Sequence, residues 1–284
     1  MSTIVFIYSF ITVIVCYSNI CLNLILLLAI FCSKRVTFKS ELSLFYTRFA
    51  ADIGYSISIS NFKLYILAVM ISEIFAVKNF IFITLWLTII FGIIRTSLLF
   101  LTTLDRVISL FFPFFYCANR SKLPLFAIFI LIFSLIIFDQ IIMFGYCGNT
   151  IDTPMNCDHF RCSFNECYSI YWVEHEKIVF SMIVVLTVLQ LGKLVVYTVL
   201  AQNQSAQVYS RATQIAMLDS TTLILFNLVP VMSTFWFESA DYETYSSFAT
   251  LSRNLGFLIN TLIIFRIFMR DKNNTVTALT SPNS

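Results

Sequence analysis

Ionisable side chains interrupt the apolar stretches of this chain at a few places. Arg48 and Asp52 stand four apart in "FYTRFAADIGY", Arg95 sits alone in a long apolar run, and Asp105 and Arg106 are adjacent in "LDRVISLFFPFFY". Asp139, Lys193 and Asp219 follow. A charge at membrane depth costs about 2.5–3.5 kcal/mol on insertion scales, so each one demands a partner. A spacing of four stacks Arg48 and Asp52 on one helix face, where they can pair with each other. No acid lies within a turn of Arg95, so its counter-ion comes from another segment, with Asp52 and Asp139 as candidates. Arg48, Asp52, Arg95, Asp139 and Lys193 are therefore either static pairs or an interior polar network that couples an outer cavity to an inner face. An enzyme would need clustered ligands or a positioned nucleophile and base. The two histidines fall together in one outer loop. No such constellation stands at membrane depth, and no cofactor or metal is implied.

The second group of reactive side chains is a cluster of thiols. Cys147, Cys157, Cys162 and Cys167 share "CGNTIDTPMNCDHFRCSFNEC" within the segment 145–177. On an oxidising face, four thiols so close together make two disulfides, with three pairings open. The competing chemistry is a zinc site using His159, but the gaps do not form a CxxC pair. The same segment carries Asp152, Asp158, Glu166, Glu174 and Glu176 against two basic residues. That excess reads as a solvated loop or, alternatively, as a cation-selecting entrance.

The elements that must position these residues are membrane helices. Of 284 residues, 59% are hydrophobic and 12% charged, outside the range of soluble domains. With only six glycines and five prolines the apolar content reads as helices, not as the short alternating strands of a barrel. A helix rises about 1.5 Å per residue and needs roughly 20 apolar residues to cross. Seven stretches qualify, at about 4–31, 42–62, 80–104, 123–144, 178–200, 215–237 and 248–269. The first is too long for a signal-peptide core and is read as retained. The piece 64–77 is too short for a span and reads as an extension of the second helix or an interfacial loop.

Basic residues choose the orientation, because Lys and Arg resist translocation. With the N-terminus outside, ten of them collect inside: Lys34, Arg35, Lys39, Arg106, Arg120, Lys122, Arg211, Arg266, Arg270 and Lys272. Five stay outside: Lys63, Lys78, Arg161, Lys177 and Arg253. The expected architecture is an all-α membrane protein, a seven-transmembrane helix bundle over 1–272 with its C-terminus inside, then a short polar tail, 273–284. The net charge of +3 is too small to argue for nucleic acid. Membrane lipids are the surroundings this composition requires.

Within that topology Asp105 and Arg106 end the third span, Pro113 follows eight residues after Asp105, and Tyr116 three later. The plain account is an Arg that snorkels beside its offsetting Asp. The spacing also resembles the Asp-Arg-Tyr and Pro-x-x-Tyr signatures of rhodopsin-like G-protein-coupled receptors. Val107 replaces the usual Tyr, the last span "NLGFLINTLIIFRIF" lacks Asn-Pro-x-x-Tyr, and no Cys stands at the outer end of the third span.

A narrower resemblance covers most of the chain. "LFYTRFAADIGY", "RTSLLFLTTLDRVISLFFPFFY", "NRSKLP", "FDQIIMFGYC", "FRCSFNECYSIYW" and "SRATQIAMLDS" together resemble the nematode serpentine chemoreceptors of class Srbc. The resemblance implies a chemosensory receptor at the plasma membrane of sensory neurons, in their cilia, with a small-molecule ligand and a heterotrimeric G protein as partners. It implies coupling through Asp105, Arg106, Pro113, Tyr116, Arg120, Lys122, Arg211 and Asp219, and it favours disulfides over metal. The alternative is a transporter or ion channel using the buried charges. That reading expects inverted repeats or broken helices, which the sequence does not show.

Overall fold

The computed structural model describes residues 3–32, 43–119, 125–154, 157, 160–200, 217–218, 221–222, 224–230 and 242–280. Its described elements are helical. They are α1 (Thr3–Phe31), α2 (Ser43–Ile71), α3 (Phe80–Phe111), α4 (Pro113–Asn119), α5 (Leu125–Gln140), α6 (Phe160–Ser163), α7 (Glu166–Leu200) and α8 (Tyr242–Thr280). A π-helical turn, Ile141–Tyr146, continues α5, and a second, Ile224–Leu228, packs on α8. Among the described residues six helices are long and apolar enough to cross a membrane. The expected span at 215–237 lies largely outside the described residues.

Helix α1 lies between α2 and α8, α2 lies between α1 and α3, and α3 also meets α5 and α7. In hydrocarbon, apolar side chains gain little by leaving lipid for one another, so small residues and interhelical hydrogen bonds carry much of the association. Both devices are present. Asn19 donates to the Ser56 hydroxyl at 2.9 Å, Asn23 donates to Asn19 at 2.9 Å, and Thr261 donates to Asn19 at 3.2 Å. Those bonds zip α1 to α2 and α8. At Gly54 a side chain would collide with the Phe91 ring, so glycine is what lets α2 approach α3. Outward faces carry large apolar residues such as Phe10, Phe133 and Val188, as lipid-facing helices should.

Several helices outrun their expected lengths. α2 continues past residue 62 to Ile71, which settles 64–77 mainly as an extension of that helix. It places Lys63 inside the bundle, 5% exposed and 3.4 Å from the Ser247 hydroxyl, where a loop position was expected. α7 begins at Glu166, twelve residues before the expected 178, because nothing between 166 and 177 breaks a helix and Asn165 caps it. The Asn165 side chain accepts from the Tyr168 backbone N–H at 3.0 Å, the third helical position. α8 runs on through 273–280, where a plain tail was expected.

The most consequential difference is in α3. It does not stop at residue 104 but continues to Phe111, since Val107–Phe112 holds no helix breaker and only Pro113 interrupts it. The pre-proline restriction pushes Phe112 out of the helical region, to φ −128° and ψ 60°. Pro113 then opens α4, a position where its missing N–H costs nothing. Asp105 and Arg106 thus sit about one and a half turns inside the helix.

Candidate functional site

Three polar assemblies built on the expected charged residues stand inside the bundle. The first surrounds a small, partly open cavity between α2, α3, α7 and α8, lined by Tyr55, Arg95, Trp172, His175, Glu176 and Arg253 among others. Arg95, 4% exposed, donates through Nε to the Asp52 carboxylate, and its guanidinium carbon lies 3.3 Å from the centre of the Phe257 ring. One side chain of α3 thereby holds α2 by charge and α8 by a cation–π contact. Arg48 reaches the same carboxylate at 3.8 Å. Opposite them, Arg253 grips Glu176 with two parallel bonds of 3.1 and 3.2 Å, tying α8 to α7.

The second assembly joins the loop end of the bundle. Tyr168 is fully buried and its hydroxyl donates to both Asp139 oxygens, at 3.1 and 3.0 Å. Gln140 donates to Asp139 at 3.1 Å and accepts from the Trp86 indole at 2.6 Å. α3, α5 and α7 are locked together there. Above it the rings of Phe160, Phe164 and Tyr168 form a ladder against Phe82. Disulfides join Cys147 to Cys167 and Cys157 to Cys162, a nested pairing. Thr153 donates its backbone N–H to Asn79 at 2.9 Å, strapping the loop to the start of α3.

The third assembly lies at the other end of α3. Arg106 is 4% exposed, with Nη2 2.9 Å from Asp105. The Tyr116 hydroxyl donates to the same carboxylate oxygen at 3.2 Å. The kink at Pro113 folds α4 back far enough for Tyr116 to reach. Lys193 of α7 stands nearby, its ammonium 5.3 Å from the centre of the Phe111 ring.

A family model described as the serpentine type 7TM GPCR chemoreceptor Srbc matches residues 1–272. The chain belongs to the Srbc family. It is accordingly a multi-pass membrane protein of a chemoreceptor family whose bundle has seven spans. None of the curated proteins compared with it matches.

In this Srbc protein the five intramembrane charges, expected either as static pairs or as one interior network, are divided among separate places. Arg48, Asp52 and Arg95 converge on one carboxylate. Asp139 does not serve Arg95. It is taken by Tyr168 and Gln140, because it lies late in α5 at the loop end while Arg95 lies halfway along α3. Lys193 belongs to neither group. Arg120, Lys122, Arg211 and Asp219 lie outside the described residues.

Sequence reasoning missed Glu176, Arg253 and His175 as cavity residues. Glu176 and His175 were expected in a solvated loop and Arg253 outside the membrane. The early start of α7 carries the first two into the bundle. The signal available was the uninterrupted helix-forming run 166–190, which contains neither Gly nor Pro.

Proposed function

We propose that this Srbc protein is a chemosensory receptor that binds a small molecule in the Arg95 cavity and signals to a heterotrimeric G protein from the Asp105–Arg106 end. The observation that carries this reading is that one continuous helix, α3, spans both places. Gly92, Arg95 and Thr96 line the cavity, and Arg106 follows eleven residues later, about 16 Å along the helix axis. A ligand that favours one placement of α3 over another shifts the whole rod, and it does so only by its differential affinity for the two states. At the far end the closed Asp105–Arg106–Tyr116 cluster is the element to be released.

On release Arg106, Pro113 and Tyr116, with Arg120, Lys122 and Arg211, face the G protein, while Asp219 restrains the resting state. The N-terminus and the disulfide-bridged loop lie outside, as the count of basic residues requires. The protein acts at the plasma membrane of sensory neurons, in their cilia. The test is nucleotide exchange on a G protein by Arg106→Ala that still reaches the cell surface. Exchange is expected to be lost, and full exchange sinks the reading. Ligand-evoked ion currents that persist without any G protein point instead to a channel.

A further inference from the structure

The walls of the Arg95 cavity specify what charge a ligand should carry. Glu176 is the acid among the lining residues, and both of its oxygens already accept from Arg253. Its charge is already balanced by that guanidinium, which leaves little net attraction for a cationic ligand. Arg95 is different. Among the described residues its hydrogen bond is the one through Nε to Asp52, while Nη1 and Nη2 donate to nothing. The Phe257 ring covers a face of that guanidinium and leaves the in-plane edge as the direction for further bonds. A planar fork of paired N–H donors matches the two oxygens of a carboxylate. His175 adds a second point. It lines the same cavity, and its Nδ1 is a buried ring nitrogen without a hydrogen-bond partner among the described residues. The rings of Trp172, Tyr55 and Phe180 line the same cavity.

We propose that the cavity takes a small monocarboxylate with a flat, apolar body. Its carboxylate lies on the terminal nitrogens of Arg95, its body lies against Trp172 and Phe180, and one further polar atom meets His175 Nδ1. This rests on the reading of the cavity as the ligand site of a receptor. An ammonium ligand meets Arg95 head-on, and a neutral ligand leaves the buried fork without a charged acceptor. Two oxygens on a single anionic carbon satisfy it.

The experiment uses the full chain purified in lipid nanodiscs. Its apparent melting temperature is followed against benzoate and indole-3-acetate, with benzamide as the neutral counterpart of benzoate and benzylamine as the cationic one. Stabilisation by a carboxylate is expected, with benzamide about tenfold weaker and benzylamine without effect, the scale set by one charge-assisted bond. Arg95→Lys keeps a cation for Asp52 but removes the fork, and it should weaken the carboxylate effect by about tenfold. His175→Phe leaves both ion pairs intact and should also weaken it for indole-3-acetate. If Arg95→Lys does not fold, His175→Phe decides.

Equal effects of benzamide or benzylamine, an unchanged response in the folded variants, or no response to either carboxylate overturns the proposal. A carboxylate that binds but drives no nucleotide exchange sinks the receptor reading and leaves the ligand class standing. Exchange driven only by uncharged or cationic compounds does the reverse.

Discussion

Replacing Tyr168 by Phe removes one oxygen and leaves the aromatic ladder in place. Tyr168 is fully buried between Phe164 and Trp172, so ring packing is preserved and the change isolates the bond to Asp139. Its single hydroxyl proton is shared between the two carboxylate oxygens, at 3.1 and 3.0 Å, and counts as one bond. Interhelical hydrogen bonds in membrane proteins average about 0.6 kcal/mol, because the unfolded helices also find partners. Bonds to an ionised acceptor are roughly twice as strong. The carboxylate left behind keeps the Gln140 N–H and loses its bond across to α7, which raises the cost further. The expected destabilisation is about 1.5 kcal/mol, or about 3–6 °C in apparent melting temperature. The assay is thermal unfolding in a mild detergent by fluorescence of a buried-thiol dye. Tyr171→Phe serves as the control, since that hydroxyl lies on the same helix but is not bonded to Asp139. A Tyr168→Phe shift no larger than the control's refutes the claim that Asp139 anchors α7 to α5. In a cycle with Asp139→Asn, coupling near zero refutes it as well.

Asp52→Ala strands the Arg95 guanidinium at membrane depth and should cost about 3–5 kcal/mol, read as loss of folded protein at the cell surface. Replacing Arg95 by Gln in that background should recover part of the loss. The two disulfides close loops of unequal length, with separations of 20 and 5 residues. Loop-closure entropy then makes the loss of Cys147–Cys167 cost about 3 kcal/mol and that of Cys157–Cys162 about 2 kcal/mol, measured as melting shifts of paired Cys→Ser variants. Gln190 is fully buried with neither amide atom bonded. Gln190→Leu should therefore raise the melting temperature by about 2–4 °C, corresponding to about 1 kcal/mol of relieved desolvation. A lower melting temperature there shows that the amide has a partner in the folded protein.

The membrane class, six of the helix locations and the thiol cluster were legible in the sequence. Each depends on local composition: runs of about 20 apolar residues, few breakers, and four cysteines within 21 residues. That Arg95 needs a partner from another helix was legible too, since its own neighbourhood holds no acid. Which acid serves it was not, because Asp52 and Asp139 are equally acidic on paper and only helix rotation and depth separate them. Helix ends were read too short wherever polar residues entered a continuing helix, as in 166–177. Hydropathy marks where lipid ends, whereas a helix stops only when its backbone loses its next hydrogen bond, as at Phe112 before Pro113.

The tertiary structure alone decided the cavity. Its walls come from residues as distant in sequence as Tyr55 and Phe257, brought together because α2, α3, α7 and α8 pack side by side. The same packing turned Glu176 from a loop acid into the partner of Arg253 and set Arg95 in the cavity wall. Composition dictates that such charges be paired, for the energy of burying them is the same in any arrangement. Geometry dictates which pairs close, and which donors remain for a ligand.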